Sequence, residues 1–266
     1  MDNTMSSRNN WENKQSARER MRIERERQAK RDKTRRQLLA GGAVVAVLAI
    51  AGGIGVAVAS MGEDDRPLVV PANATGENGT TVVYGDKNAK NTVDVYEDMR
   101  CPFCAQFEQA NGKTLTKLAD DESLSLKVEY NFGTFIDSNA GGEGSTNALT
   151  ALGAALNEST DAFVAYHQVL FENHPEETDD KYGDDAYLVE LAQKVPALKG
   201  NKDFEKAVKD GTYEAWAAKV SEKFNENDIS GTPTVEVNGE KIEVLGSTGP
   251  VGPEEFTKQV KDRLKD

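Results

Sequence analysis

Two cysteines separated by two residues are the part of this sequence best suited to chemistry. They are Cys101 and Cys104, and the chain has no other cysteine. Alternating residues from Thr92 to Tyr96 predict a short strand, and the residues after Cys104, which include Phe107, predict a helix. Cys101 would then stand at the helix N-terminus, where unpaired N–H groups and the helix dipole stabilise an anion. We therefore expect Cys101 to be the attacking thiolate, with a lowered pKa. We expect Cys104, one turn deeper, to close or resolve a disulfide with it.

Two alternative roles for the cysteine pair are less favoured. A structural zinc site needs about four ligands, and the chain offers only two cysteines and two histidines, His167 and His174. The gap from Cys104 to His167 is too long for a zinc finger, and the histidine spacing is too wide. A purely structural disulfide would close a loop of only two residues and would stabilise the fold weakly. The sequence therefore predicts a redox pair and no metal site.

The elements that must position this pair begin at about residue 80. The sequence predicts strands at Thr80–Tyr84, Thr92–Tyr96 and Leu124–Phe132, and a helix from Cys101 to Ala119. Helices follow, starting near caps at Ser145, Asp161, Asp184 or Asp185 and Thr212, with a short helix at Asp203–Lys209. Strand signals return at Thr234, Asn238–Gly239 predicts a hairpin turn, and Pro253 opens a last helix. This order predicts an α/β fold in which helices are inserted after the third strand.

The charge of the chain changes sign along its length. Residues 1–61 hold 12 Lys/Arg and 6 Asp/Glu, which gives a net charge of +6. The rest of the chain therefore holds 20 Lys/Arg and 39 Asp/Glu, a net charge of −19. The acidic surface argues against nucleic-acid binding. For the basic tail, residues 1–36, contact with anionic lipid and a role in topology are favoured over nucleic-acid binding.

An uncharged apolar segment separates the two parts. Residues 38–61 contain no charge over 24 positions, which is long enough for a transmembrane helix. The basic residues before it predict a cytoplasmic N-terminus and an extracytoplasmic main domain. The Arg35–Arg36 pair resembles a twin-arginine export signal, and Ala57–Val58–Ala59 could be a signal-peptidase site. The apolar segment could therefore also be a cleaved export signal. We therefore predict a cytoplasmic tail at 1–36, an anchor or cleaved signal at 37–61 and a linker at 62–79.

The folded domain resembles a known family once two motifs are taken together. One is the segment from Tyr96 through Cys101-Pro-Phe-Cys104, and the other is Gly231-Thr-Pro-Thr234 before the late hairpin. Together with the helical insertion, at about 140–228, they resemble the DsbA-like thiol–disulfide oxidoreductases of the thioredoxin superfamily. The likeness covers about residues 80–266 and is greatest to membrane-anchored, extracytoplasmic members of Gram-positive bacteria.

The resemblance assigns roles to six residues. It implies that Cys101 is the nucleophile, that Cys104 is the resolving thiol, and that Pro233 is a cis-proline facing them. The Thr232 backbone would pair with a substrate strand, and its hydroxyl would lie near the sulfur. Pro102 and Phe103, which lie between the cysteines, would influence the reduction potential of the pair and its contact with substrate.

Phe103 is a departure from the strongly oxidising members, which often carry His at this position. Phenylalanine offers the Cys101 thiolate no charge. The negative charges of Glu97 and Asp98 would disfavour the thiolate if they are close, whereas the positive charge of Arg100 would offset them. We expect a lowered but not extreme pKa for Cys101. The reduction potential should lie between those of thioredoxin, about −270 mV, and the most oxidising example, about −120 mV.

The favoured function is a disulfide oxidase that acts on unfolded exported proteins. No cofactor is expected besides the Cys101–Cys104 disulfide, and a membrane partner would reoxidise it. Two alternatives stay open, namely a reductase or isomerase that uses the same cysteines, and a non-catalytic binding module. No dimerisation segment is evident, so a monomer is expected.

Overall fold

A computed structural model describes residues 67–176, 179–227 and 229–265. The predicted tail at 1–36 and the predicted membrane segment at 37–61 lie outside these residues. Within the described ranges, every helix is too short or too polar to cross a bilayer.

Five strands form one mixed sheet in the order β1–β3–β2–β4–β5. They are β1 (Val82–Gly85), β2 (Asn91–Asp98), β3 (Leu126–Gly133), β4 (Thr234–Val237) and β5 (Glu240–Ile242). β2 and β3 run parallel, while β1 is antiparallel to β3, β4 to β2 and β5 to β4. A two-stranded ribbon, β6 (Leu245–Gly246) and β7 (Gly249–Pro250), follows β5.

Helices cross between the strands and fill the region from β3 to β4. They are α1 (Pro102–Asp120), α2 (Phe135–Ala140), α3 (Gly144–Glu158), α4 (Thr160–Glu172), α5 (Asp185–Ala192), α6 (Lys202–Lys209), α7 (Glu214–Phe224) and α8 (Pro253–Lys261). The α1 helix is the crossover that the parallel β2–β3 pair requires. The α/β class and the order strand, CxxC, helix, expected from the sequence, are confirmed.

Buried and half-buried side chains alternate along β3, so one face of the sheet packs against the core. Leu126, Val128, Tyr130 and Phe132 are buried at every second position, which is the period of a strand. Trp216 and Phe224 of α7 are buried as well, as their helical spacing predicted.

Some predicted helix caps were wrong, because a distant carboxylate accepts from the start of α3 and a neighbouring serine caps α4. Ser145 lies inside α3 and donates its hydroxyl to Asp98, 2.6 Å away. The first N–H groups of this helix donate to the Asp137 carboxylate, from Ser145 and Thr146. Ser159, and not Asp161, caps α4 by accepting from the Ala162 N–H.

The short helix predicted at Asp203–Lys209 begins one residue earlier, because Asn201 caps α6 by accepting from the N–H groups of Asp203 and Phe204. Tyr213, and not Thr212, is the N-cap residue of α7. Asp184 caps α5 as expected.

Candidate active site

The two cysteines lie at the connection between the end of β2 and the start of α1. Cys101 is the N-cap residue of the helix, with extended backbone angles, and Pro102 occupies the first helical turn, where its missing N–H lacks a helical partner in any case. Both cysteines are free thiols. The exposed fraction is 5% for Cys101 and 0% for Cys104. An incoming sulfur can therefore reach only Cys101.

The Cys101 sulfur sits among hydrogen-bond donors that favour its thiolate. The strongest is the Cys104 thiol, and Thr232 and the backbone N–H groups of Phe103 and Cys104 act in the same direction. Burial acts in the opposite direction, and the net result is a Cys101 pKa lowered to about 6. This agrees with the lowered, moderate pKa expected at a helix N-terminus.

Cys104 has the opposite electrostatic environment. Burial raises the pKa of this thiol well above its ordinary value. Its hydrogen bond to Cys101 and the nearby carboxyl of Glu97 raise it further. The pair is therefore strongly asymmetric, with a nucleophilic sulfur at Cys101 and a protonated thiol at Cys104 near neutral pH.

The loop before β4 lies against Cys101. The β2–β4 pairing places Tyr96 opposite Thr234, so the residues just before Thr234 reach the end of β2, where the cysteines begin. The Cys101 thiol contacts the backbone carbonyl oxygen of Thr232 at 3.4 Å. The Thr232–Pro233 peptide bond is cis, as the resemblance implied.

Two apolar features lie near the cysteines and this loop. Phe103 is 53% exposed, and among the described residues it is the large apolar side chain with notable exposure. A depression of about 490 Å³ is lined by residues of the late hairpin, namely Pro233, Lys241, Ile242, Glu243, Val244 and Leu245. Pro233 therefore borders the Cys101 contact on one side and this depression on the other.

Arg100 does not have the role that the sequence analysis gave it. Its guanidinium makes ion pairs with Asp137 at 2.9 Å and Asp180 at 3.2 Å, and it donates to the Gly141 carbonyl. Its charge is therefore paired with residues of the helical insertion. It is not among the groups that lower the Cys101 pKa. Asp98 is likewise held by hydrogen bonds from other groups, including the Ser145 hydroxyl.

A buried polar cluster was missed by the sequence analysis. His167 Nε2 lies 2.9 Å from Glu97 Oε2, and His167 Nδ1 lies 3.9 Å from Glu108 Oε2. Burial raises the pKa of Glu97 well above its usual value and that of Glu108 to about 8, and it lowers that of His167. One signal was available in the sequence, because Glu97 follows buried Val95 at the strand period.

Comparisons with known proteins agree with this geometry. A protein family described as Thioredoxin has a sequence model that matches residues 77–262. The chain is similar to disulfide bond formation protein D of Bacillus subtilis (strain 168), with 28% identity over 160 residues. That alignment covers 60% of this chain and 68% of the relative.

Solved structures share the fold. The chain is similar to DsbA of Mycobacterium tuberculosis in its oxidised form, with 26% identity and a TM-score of 0.54, over 74% of this chain and 91% of that one. BdbD of Bacillus subtilis has a TM-score of 0.56 at 22% identity, over 74% of this chain and 100% of that one, which shows the fold alone.

Proposed function

The chain belongs to the thioredoxin family and is a DsbA-like thiol–disulfide oxidoreductase, and we propose that it forms disulfides in exported proteins through Cys101 and Cys104. The observation that carries the direction of the reaction is the Cys101 pKa of about 6 beside the raised pKa of Cys104. A stabilised thiolate favours the reduced form of the protein, so its disulfide is readily given to a substrate.

The first step is attack by a substrate thiolate on the Cys101 sulfur of the oxidised protein. Cys104 is fully buried, so attack is directed to Cys101. The Cys101–Cys104 bond breaks and its electron pair leaves on Cys104, which takes up a proton because its pKa is high. A mixed disulfide between Cys101 and the substrate remains.

In the second step, another thiolate of the substrate attacks the substrate sulfur of the mixed disulfide. The Cys101 thiolate is a good leaving group because its pKa is low. The substrate thereby loses two electrons and gains a disulfide, and the protein is left with two thiols. A membrane partner that accepts these electrons restores the Cys101–Cys104 disulfide.

Substrate recognition uses the loop before β4. The Thr232 backbone lies beside Cys101, where it can pair with an extended substrate segment as in strand addition. Phe103 and the apolar depression beside Pro233 offer contact to the apolar side chains that unfolded proteins expose.

The place of action is extracytoplasmic, where disulfides persist. The apolar segment at 37–61 would hold the domain at the outer face of the membrane. The N-terminus would then be cytoplasmic, and the protein would act as a monomer.

The reduction potential of the full-length chain tests the proposed direction. The chain is equilibrated with glutathione, and the unfolding free energies of its reduced and oxidised forms are measured alongside. We expect a potential near or above about −180 mV and a more stable reduced form. A potential near about −270 mV with a more stable oxidised form would indicate a reductase instead.

A further inference from the structure

Asp98 is a buried carboxylate at the end of β2, just before the turn that leads to Cys101. Its exposed fraction is 0%, and both of its carboxylate oxygens accept hydrogen bonds. Oδ1 accepts from the Arg100 N–H at 3.0 Å and from the Ser145 hydroxyl at 2.6 Å, and Oδ2 accepts from the Ile136 N–H at 3.1 Å. These donors hold the carboxylate in one orientation and compensate for its burial.

Two hydrogen bonds of Asp98 build the turn that ends at Cys101. The Asp98 carbonyl accepts from the Cys101 N–H at 2.9 Å, which closes a β-turn. The bond from the Arg100 N–H to the Asp98 carboxylate adds a side-chain turn of the kind that aspartate and asparagine form. The turn therefore sets the direction in which the chain enters α1 and places Cys101 at the N-cap position.

The remaining bonds of the carboxylate come from the helical insertion. Ile136 lies in the first turn of α2, and Ser145 lies in the first turn of α3. The N–H of Ile136 and the hydroxyl of Ser145 donate to the same carboxylate that accepts from the Arg100 N–H. Through this one side chain, the insertion fixes the turn that presents the reactive cysteine.

The charge of Asp98 by itself opposes a Cys101 thiolate, because a nearby like charge disfavours the ionised form. The pKa of Cys101 is lowered to about 6 by the Cys104 thiol first, and also by the N–H groups of Cys104 and Phe103. These groups act on the sulfur only while the start of α1 and Cys101 keep their relative positions. A contribution of Asp98 to the reactivity of Cys101 must therefore come from geometry, and it must exceed the effect of its charge.

We propose that Asp98 is a positioning residue for the redox pair, because it fixes the turn that aligns the Cys101 sulfur with the N–H groups at the start of α1. Asp98 also influences the second sulfur: burial dominates the raised pKa of Cys104, and the Asp98 backbone acts in the opposite direction. The inference rests on the proposed function only in taking Cys101 as the attacked sulfur, and it holds for either direction of exchange.

The pH profile of Cys101 alkylation tests this role. The reduced full-length chain and its variants react with iodoacetamide over a range of pH, and the midpoint of the rate profile is measured. Asp98→Ala removes the side-chain turn, so we expect the midpoint to rise by about one pH unit and the rate at pH 6 to fall about fivefold. Asp98→Asn keeps an acceptor for the Arg100 N–H and removes the charge, so its midpoint should stay at or below that of the wild type.

The direction of the change separates positioning from two other roles. If Asp98 acted only through its charge, both substitutions would lower the midpoint. If it only stabilised the fold, Asp98→Ala would lower the melting temperature and leave the midpoint unchanged. Either result would overturn the proposal. Asn201→Ala is the control, because it removes the cap of α6 within the insertion; it should lower the melting temperature and keep the wild-type midpoint.

Ser145→Ala covers the case in which Asp98→Ala does not fold. This variant keeps the Asp98 charge and removes one of the bonds that the insertion makes to the carboxylate. We expect its midpoint to rise, by less than in Asp98→Ala. An unchanged midpoint in folded Ser145→Ala would overturn the link between the insertion and the turn.

The reduction potential of the wild-type chain separates this proposal from the proposed function. A potential close to that of thioredoxin would refute the oxidase direction, and the raised alkylation midpoint of Asp98→Ala would still support positioning. An oxidising potential together with an unchanged midpoint in Asp98→Ala would refute positioning alone.

Discussion

The Cys101 thiol lies 3.4 Å from the carbonyl oxygen of Thr232, although 131 positions separate the two residues in the chain. The antiparallel pairing of β2 with β4 creates this contact, because it sets the loop before β4 beside the end of β2. The reactive sulfur therefore has its own helix on one side and, on the other, a backbone carbonyl that accepts from the Cys101 thiol.

Removing the reactive sulfur should stop disulfide exchange. We expect Cys101→Ser to have no measurable activity toward a reduced, unfolded substrate, because Cys104 is fully buried and cannot replace it. Cys104→Ser should still react once with a disulfide-bonded substrate: its Cys101 thiolate attacks the substrate disulfide, one substrate thiolate leaves, and the mixed disulfide accumulates because the resolving thiol is gone. Mass spectrometry of the trapped adduct checks this, and residual turnover by Cys101→Ser would contradict the catalytic role.

The reduced form should gain stability relative to the oxidised form as pH rises from 6 to 8. The Cys101 pKa is about 6 in the folded chain and about 8.5 in an unfolded one. A lowered pKa contributes stability that is present above the unfolded value and is lost as pH falls through the folded value.

The expected change in the difference between the two unfolding free energies is about 2 kcal/mol from pH 6 to pH 8. Denaturant titrations of both redox forms measure it. Above about pH 8.5 the gain should reverse, because the unfolded chain ionises Cys104 while the folded chain keeps it protonated. A difference that does not depend on pH would mean that the Cys101 thiolate is not stabilised.

Shortening Phe103 should weaken exchange with protein substrates and leave exchange with glutathione unchanged. The ring is 53% exposed, so Phe103→Ser should change the stability by less than about 0.5 kcal/mol. Loss of an apolar contact of about 1–2 kcal/mol would lower kcat/KM for an unfolded protein by about 5- to 30-fold. An equal loss with glutathione would show that Phe103 acts on the sulfur itself and not on substrate contact.

Removing the Arg100 charge should destabilise the insertion. Its guanidinium is 3% exposed and pairs with Asp137, which is 11% exposed. Arg100→Met should cost about 3 kcal/mol or more, because it leaves a buried carboxylate unpaired. Lys113→Met, which breaks the exposed pair with Glu172, is the control and should cost less than about 1 kcal/mol. Thermal unfolding of the reduced chains compares them, and equal losses would refute the structural role of Arg100.

The sequence by itself determined the features that depend on neighbours in the chain. The strand before Cys101, the helix after Cys104 and the alternation of β3 follow from spacing alone. The hairpin turn is equally local: Asn238 and Gly239 adopt φ values of 53° and 83°, as a two-residue turn of this kind requires.

Only the tertiary structure decided which distant side chains meet. Glu97 and His167 are 70 positions apart, and no local pattern in the sequence pairs them before β2 and α4 are packed together. Ser145 was expected to cap a helix, but its hydroxyl donates instead to the buried Asp98 carboxylate. Local spacing encodes hydrogen bonds within a turn or a strand, whereas burial and charge pairing depend on which elements pack against each other. The reactivity of Cys101 was therefore visible in the sequence, and the polar cluster beside its helix was not.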